Sequence, residues 1–167
     1  MENNFLKIIQ DKKNKLFRGI NLGDTVDSVI KKEGKDYYES KEVMTFLRYY
    51  FRINSTSDFE YKVLYYYDNE QRVEVISLTI ELDKNLKNIT AQEFNELTDD
   101  CYNYLNEKFG SPETKEKNVK GNGKEIHHSW QDCSNENKPI EIILTFWSNK
   151  KQGIEKGMKL EFQYFYE

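Results

Sequence analysis

The chain has little of what builds rigid, covalently held or membrane-bound structures. Cysteine and proline each occur only twice in 167 residues. Cys101 and Cys133 fall in different expected elements, and two cysteines make no disulfide framework. Two prolines and eight glycines signal no long linker. No segment approaches the roughly 20 apolar residues that a membrane-spanning helix needs. The opening Met1-Glu2-Asn3-Asn4-Phe5 reaches charge within a few positions and starts no sustained apolar run. No signal peptide or membrane association is therefore expected, and the expected compartment is the cytoplasm. An excess of positive charge is missing too. The net charge is −4 and the isoelectric point about 5.4. A nucleic-acid partner is not expected, because such binding needs a basic footprint to displace counterions from phosphate. The lysine pairs Lys12-Lys13 and Lys150-Lys151 read as solvated surface.

What the chain has is aromatic residues. Tyr (12) and Phe (10) dominate an aromatic content of 14%. That argues for a packed core in spite of 32% charged residues. The length suits one domain, residues 1–167. Within 4–13, Phe5, Ile8 and Ile9 share one helical face and predict a short leading helix. Next comes Phe17-Arg18-Gly19-Ile20-Asn21-Leu22-Gly23 and a helix capped by Asp24 or Thr25. Its stripe is Val26, Val29 and Ile30, and Gly34 stops it. Residues 43–53 alternate with a period of two: Leu47, Tyr49, Phe51 and Ile53 against Arg48, Tyr50 and Arg52. This predicts a strand buried on one face. Residues 54–58 are expected to turn, Tyr61–Tyr67 to form a second strand, and Arg72–Leu82 a third, hairpin-paired through Asp68-Asn69-Glu70.

A second unit opens at Thr90-x-x-Glu93, a capping box in which each side chain satisfies the other residue's backbone donor. Phe94, Leu97, Cys101, Tyr104, Leu105 and Phe109 follow at helical spacing, until Gly110 and Pro112 end the helix. A Lys-, Gly- and Asn-rich loop is expected over Glu113–Lys124. Strands are expected at about 125–132, 140–148 and 158–166, with turns at 133–138 and 149–157. The expected order is a leading helix followed by α-β-β-β twice, over about 19–82 and 90–166. Strands joined as meanders pair antiparallel. The expected fold class is α+β, a single antiparallel sheet made by tandem repeats, with helices on one face.

Two stretches carry a family likeness. Gly19-Ile20-x-Leu22-Gly23-Asp24-Thr25-x-x-x-Val29 resembles the helix start of β-lactamase-inhibitor-protein-like domains, whose relatives include small outer-membrane-assembly lipoproteins. Lys108-Phe109-Gly110-Ser111-Pro112, followed by Trp130, resembles the helix–turn–strand element of the same superfamily. If each element seeds one repeat, the resemblance covers most of the chain. It implies protein binding through a sheet surface, without catalysis. The chain departs from the lipoproteins in lacking a lipid-attachment cysteine, and from the secreted inhibitors in lacking paired cysteines within each repeat. By analogy these departures favour a cytoplasmic bacterial immunity protein that neutralises a delivered toxin or effector.

Catalytic and metal motifs are weak. His127 and His128 are adjacent on a strand and point to opposite faces, so they do not share one ion easily. Cys101 sits on an apolar helical stripe, as a small core residue does, and Cys133 lies in a polar turn. Asp99-Asp100 lies on a polar helix face, whereas acid–base pairs converge from separate elements. Gly121-x-Gly123 precedes a strand where a phosphate loop precedes a helix. No cofactor, metal or enzymatic activity is expected.

The strand faces opposite the expected core offer Arg48, Tyr50, Arg52, Lys62 and Tyr66 from the first unit. From the second they offer His127, Trp147, Gln163 and Phe165. Tyr, Trp and Arg are the types enriched in binding hot spots. The expected partner-binding set is Arg48, Tyr50, Arg52, Tyr66, His127, Trp147 and Phe165. The partner expected is another protein; the competing reading of these side chains is a second core layer. The expected function is a non-enzymatic immunity or inhibitor protein. The alternative is a small apolar-ligand-binding domain, in which the sheet curls around an aromatic pocket.

Overall fold

The computed structural model describes residues 3–53, 59–83, 89–119, 123–149 and 154–166. Among the described residues, three helices and eight strands follow the chain: α1 (Asn4–Ile9), α2 (Val26–Glu33), β1 (Tyr38–Ser40), β2 (Phe46–Arg52), β3 (Glu60–Tyr67), β4 (Val73–Asp83), α3 (Ala91–Phe109), β5 (Glu113–Val119), β6 (Gly123–Asp132), β7 (Ile140–Asn149) and β8 (Ile154–Tyr164). The strands form one sheet in the order β1-β2-β3-β4-β8-β7-β6-β5, and neighbours pair antiparallel throughout. The class is α+β. Two four-strand meanders thus meet at β4 and β8 in the middle of the sheet. Getting from β4 to the far edge at β5 means crossing four strand spacings, about 19 Å. The 19-residue α3, about 28 Å long at 1.5 Å per residue, is long enough to make that crossing.

Local chemistry sets each helix end. Asn3 caps α1 by accepting from the Leu6 N–H, and Gln10 closes it in a left-handed conformation. The first helix therefore stops at Ile9, short of the expected Lys13. Thr25, the second of the two candidate caps, accepts from the Ser28 N–H at 3.2 Å, and Gly34 ends α2 at φ 95°. The α3 capping box is complete: Glu93 N–H donates to Thr90 Oγ1 at 3.1 Å, and Thr90 N–H donates to Glu93 Oε2 at 2.9 Å.

The strand register puts one continuous apolar face under the helices. Leu47 and Tyr49 of β2 lie beside Tyr65 and Val63 of β3, which lie beside Ile76 and Leu78 of β4. The row continues into Phe162 and Leu160 of β8, then Ile142 and Leu144 of β7. All are buried, together with Phe5, Ile8 and Ile9 of α1, Val26 and Val29 of α2, and Phe94, Leu97, Cys101 and Leu105 of α3. A polar cluster ties the first half of this layer together. Arg18 holds Glu33 through two bonds, Nε–Oε1 at 2.7 Å and Nη2–Oε2 at 3.0 Å. Its Nη1 also donates to the Ile8 carbonyl (3.2 Å) and to Tyr61 (2.8 Å), and the Tyr65 hydroxyl donates to Glu33. Burial, the largest influence, pulls the Arg18 pKa down, but the hydrogen bond and charge of Glu33 outweigh it and raise it overall. Burial and the Glu33 charge push the Tyr65 hydroxyl far up.

Several expected boundaries moved. Each helix-led unit holds four strands where three were expected. The first unit gains β1, a three-residue edge strand too short to show a period. The second gains β5, where a loop was expected at Glu113–Lys124. Its sequence Glu-Thr-Lys-Glu-Lys-Asn-Val has no apolar alternation, and its backbone bonds to β6 make the strand. β2 begins at Phe46, three residues later than expected, leaving Val43, Met44 and Thr45 in the β1–β2 connection. β8 begins at Ile154, earlier than expected, and ends at Tyr164. The turn expected at 54–58 lies outside the described residues.

Candidate functional site

Every second residue of the strands points away from the helices. On β2 these are Phe46, Arg48, Tyr50 and Arg52, and on β3 they include Lys62, Leu64 and Tyr66, following the pairs Arg48↔Leu64 and Tyr50↔Lys62. On β6 and β7 they include His127, Thr145 and Trp147. Of the seven expected partner-binding residues, six therefore share this helix-free face: Arg48, Tyr50, Arg52, Tyr66, His127 and Trp147. Phe165 does not belong to the set in the same way, because it follows the end of β8. Its N–H donates to the Pro139 carbonyl at 2.9 Å. There it lines a groove of about 550 Å³ with Gly23, Asp68, Arg72 and Tyr164.

The face has two chemically distinct ends. At the β1–β3 end, aromatics surround a cation. The Arg48 guanidinium lies 4.6 Å from the Tyr38 ring centre and 5.4 Å from that of Tyr50. Phe46 lies 6.5 Å from Tyr38 and 5.4 Å from Tyr66. Tyr38 and Tyr50 are 52% and 55% exposed, whereas the β1–β2 connection presents Met44 at 56% and Val43 at 95%. These exposed side chains lie on β1, on β2 and in the connection between them, at one edge of the sheet. Sequence reasoning missed Tyr38, Val43 and Met44; the only signal for Tyr38 was its place in the Tyr37-Tyr38 pair after α2.

At the β6–β8 end, polar pairs dominate. His127 Nε2 lies 2.9 Å from Glu125 Oε2, and its Nδ1 lies 3.2 Å from Thr145 Oγ1. Lys159 and Glu161 pair at 3.0 Å. Gln163 donates to Glu141 at 3.0 Å. Trp147 stands opposite Gly157 in the β7–β8 register, its indole occupying the space a side chain would take there. Between the two ends, Ser77 and Thr79 of β4 are buried although no helix covers them, as is Thr145 of β7 beside His127. Tyr66 reaches toward this middle. Burial pushes its hydroxyl pKa up, Glu161 adds to the effect, and Lys159 opposes it.

The other candidates have plain structural places. His128 points into the helix side, its ring centre 4.9 Å from that of Tyr102 and 5.8 Å from that of Phe146, and its Nδ1 is 2.8 Å from Thr114 Oγ1. Burial, then His127, pull its pKa down. Cys101 is fully buried in the core, with its thiol pKa pushed far up by burial and then by Asp100. Cys133 is exposed. Burial, then Asp99 and Glu96, raise the Asp100 carboxyl. Among the described residues, no group of three or more His, Cys, Asp or Glu side chains is placed to hold a metal ion. No described helix is long and apolar enough to cross a membrane. Beneath α3, Phe94, Thr98, Ile126, Phe146 and Lys156 line a groove of about 330 Å³. Against known proteins, no family model matches the chain, no curated protein matches it, and no solved structure matches it.

Proposed function

We propose that this chain is a non-enzymatic protein-binding module that grips another protein with the helix-free face of its sheet. The observation that carries this reading is the convergence of Arg48, Tyr50, Arg52, Tyr66, His127 and Trp147 on one face. That face ends at β1 with exposed Tyr38, next to the β1–β2 connection that holds exposed Val43 and Met44. A sheet surface rich in Tyr, Trp and Arg buries much area at low side-chain entropy cost, as hot spots do. In its most specific form the proposal is an immunity or inhibitor protein of a bacterial cytoplasm, neutralising a toxin or enzyme in the manner the β-lactamase-inhibitor-protein-like resemblance implies. The test is capture of the product of the neighbouring reading frame by the full chain, repeated with Tyr50→Ala and Trp147→Ala. A hot-spot role costs about 2 kcal/mol, or roughly thirtyfold in affinity, at either position. Undiminished binding in both variants removes the face from the interface. Failure to retain that product at micromolar concentration, or to protect cells that express it, defeats the immunity form.

A second reading, binding of a small apolar ligand, draws on the groove beneath α3, where Phe94, Ile126 and Phe146 supply apolar walls. Displacement of a bound hydrophobic dye by fatty acids or heterocycles, abolished by Phe146→Asp, tests it.

A further inference from the structure

We propose that Arg48 is the anchor of the open face and that it takes a carboxylate from an acidic segment of the partner protein. The proposal rests on the protein-binding reading above and names the chemistry of the partner.

Among the described residues, Arg48 has no carboxylate partner and stands in an apolar and aromatic frame. Its Nε is buried and has no hydrogen-bond partner among them. The four positions around it on this face are Tyr38 across β1, Leu64 across β3, and Phe46 and Tyr50 along β2. None is a carboxylate. Three other cations on the same face have one nearby: Arg52 reaches Glu60 at 3.4 Å, Lys115 reaches Glu113 at 3.0 Å, and Lys159 reaches Glu161 at 3.0 Å. A guanidinium offers five N–H donors in a planar fork that matches a carboxylate bidentately. The rings of Tyr38 and Tyr50, 4.6 and 5.4 Å from the guanidinium, narrow the positions it can take before a ligand arrives, which lowers the ordering cost of binding. The Nε–H is shut off from solvent, so an incoming carboxylate meets the guanidinium at its Nη groups.

The local charge agrees. The chain carries −4 overall, yet the β2–β3 part of the open face sets Arg48, Arg52 and Lys62 against Glu60 alone. Electrostatic complementarity there asks for an acidic partner surface. A protein carboxylate suits the site better than a phosphate. The frame is apolar and aromatic, with one cation at its centre, whereas phosphate sites gather several N–H donors around the anion. Exposed Tyr38, Tyr50, Val43 and Met44 offer apolar area that a polypeptide flanking the carboxylate would cover.

The probe is a short peptide alternating Glu with Tyr and Leu, titrated into the ¹⁵N-labelled full chain up to millimolar concentration. A control peptide carries Gln in place of Glu. The Glu peptide is expected to shift the Arg48 Nε–Hε resonance and to bind at least tenfold more tightly than the Gln peptide. Arg48→Met is expected to remove that preference, and Arg48→Lys to keep part of it, with unchanged unfolding curves showing that both variants fold. Equal binding of the two peptides, no shift at Arg48, or an undiminished preference in Arg48→Met overturns the proposal. A stronger response to a phosphoserine peptide or to phosphatidylserine vesicles than to the Glu peptide overturns it as well, in favour of a phosphate site. Capture of the neighbouring gene product separates the two levels. Binding lost in Tyr50→Ala but kept in Arg48→Met rejects the anchor and retains the face. Binding kept in Tyr50→Ala, Trp147→Ala and Arg48→Met rejects the face and the anchor together.

Discussion

Gly157→Ala distinguishes a packed Trp147 from a loosely exposed one by the sign of its effect. Gly157 has no left-handed backbone, so alanine fits its conformation. In a strand, replacing such a glycine stabilises by about 0.5–1 kcal/mol through the unfolded chain. The structure puts a steric term against that gain. A methyl at Gly157 would stand 2.8 Å from Trp147 Cη2 and closer still to Cζ2 and Cε2. Carbon atoms pack best at about 3.5–4.0 Å, so the indole must retreat by more than about 1 Å or leave the glycine altogether. A half-buried indole that loses about 50–100 Å² of cover forfeits about 1.3–2.5 kcal/mol at 25 cal/mol per Å².

The two terms leave Gly157→Ala destabilised by about 0.3–2 kcal/mol. At a slope of about 2 kcal/mol per molar, the urea midpoint falls by roughly 0.15–1 M. The assay is urea unfolding followed by tryptophan fluorescence. Every variant carries Trp130→Phe, so that Trp147 is the sole reporter. The native emission of Gly157→Ala should shift to the red as the indole lifts into water. In a Trp147→Ala background, which holds no tryptophan and is followed by far-UV circular dichroism, the clash is gone, and the same substitution should be neutral or stabilising. A Gly157→Ala protein as stable as its parent, with unchanged emission, would refute the packing argument.

Three further outcomes follow from the core and the titrating groups. Glu33→Gln leaves the buried Arg18 guanidinium without its counter-charge and should cost about 3–5 kcal/mol in denaturant unfolding; a loss under 0.5 kcal/mol would show the pair to be dispensable. His128 has its folded pKa held below the ordinary 6.5, so between the two values the unfolded chain binds more protons. Stability contributed by neutral His128 is thus complete above about pH 6.5 and declines as pH falls toward the folded value; NMR titration should place that value below 6.5, and His128→Gln should flatten the slope in this window. A thiol reagent should modify Cys133 promptly in the native protein and Cys101 only in denaturant, because Cys101 is fully buried and its thiolate disfavoured; rapid modification of two thiols per native chain would contradict this packing.

How much of the fold was legible depended on whether a side-chain pattern encoded it. The period of two at Leu47, Tyr49 and Phe51 placed Arg48, Tyr50 and Arg52 on the correct face, because burial of one sheet face leaves that alternation in the sequence. The capping box at Thr90 and Glu93 fixed the start of α3 for a similarly local reason. β5 left no such trace, since an edge strand needs only backbone partners. β1 is shorter than one full alternation on each face. The Arg18–Glu33 pair joins residues 15 apart through a turn, and no local rule links them. Phe165 shares the alternation of β8, but the pairing ends at Tyr164, so its parity carries no facing beyond that point.

The two edges of the sheet carry opposite chemistry. β5 alternates Glu113, Lys115 and Lys117 with Thr114, Glu116 and Asn118, so charged or polar groups line both of its faces. Charged edges of this kind discourage pairing with a further strand. β1 is short, as managed edges often are, but it bears exposed Tyr38 and leads into exposed Val43 and Met44. A chain under pressure only to stay dispersed would treat both edges alike, because an unguarded apolar edge invites association. Tyr38 stands beside Arg48 in the β1–β2 register, and Val43 and Met44 lie in the connection between those strands, whereas residues 113–118 of β5 include no apolar type. Exposed apolar surface is thus concentrated at the edge that holds the proposed anchor, where a docking partner would offset its cost.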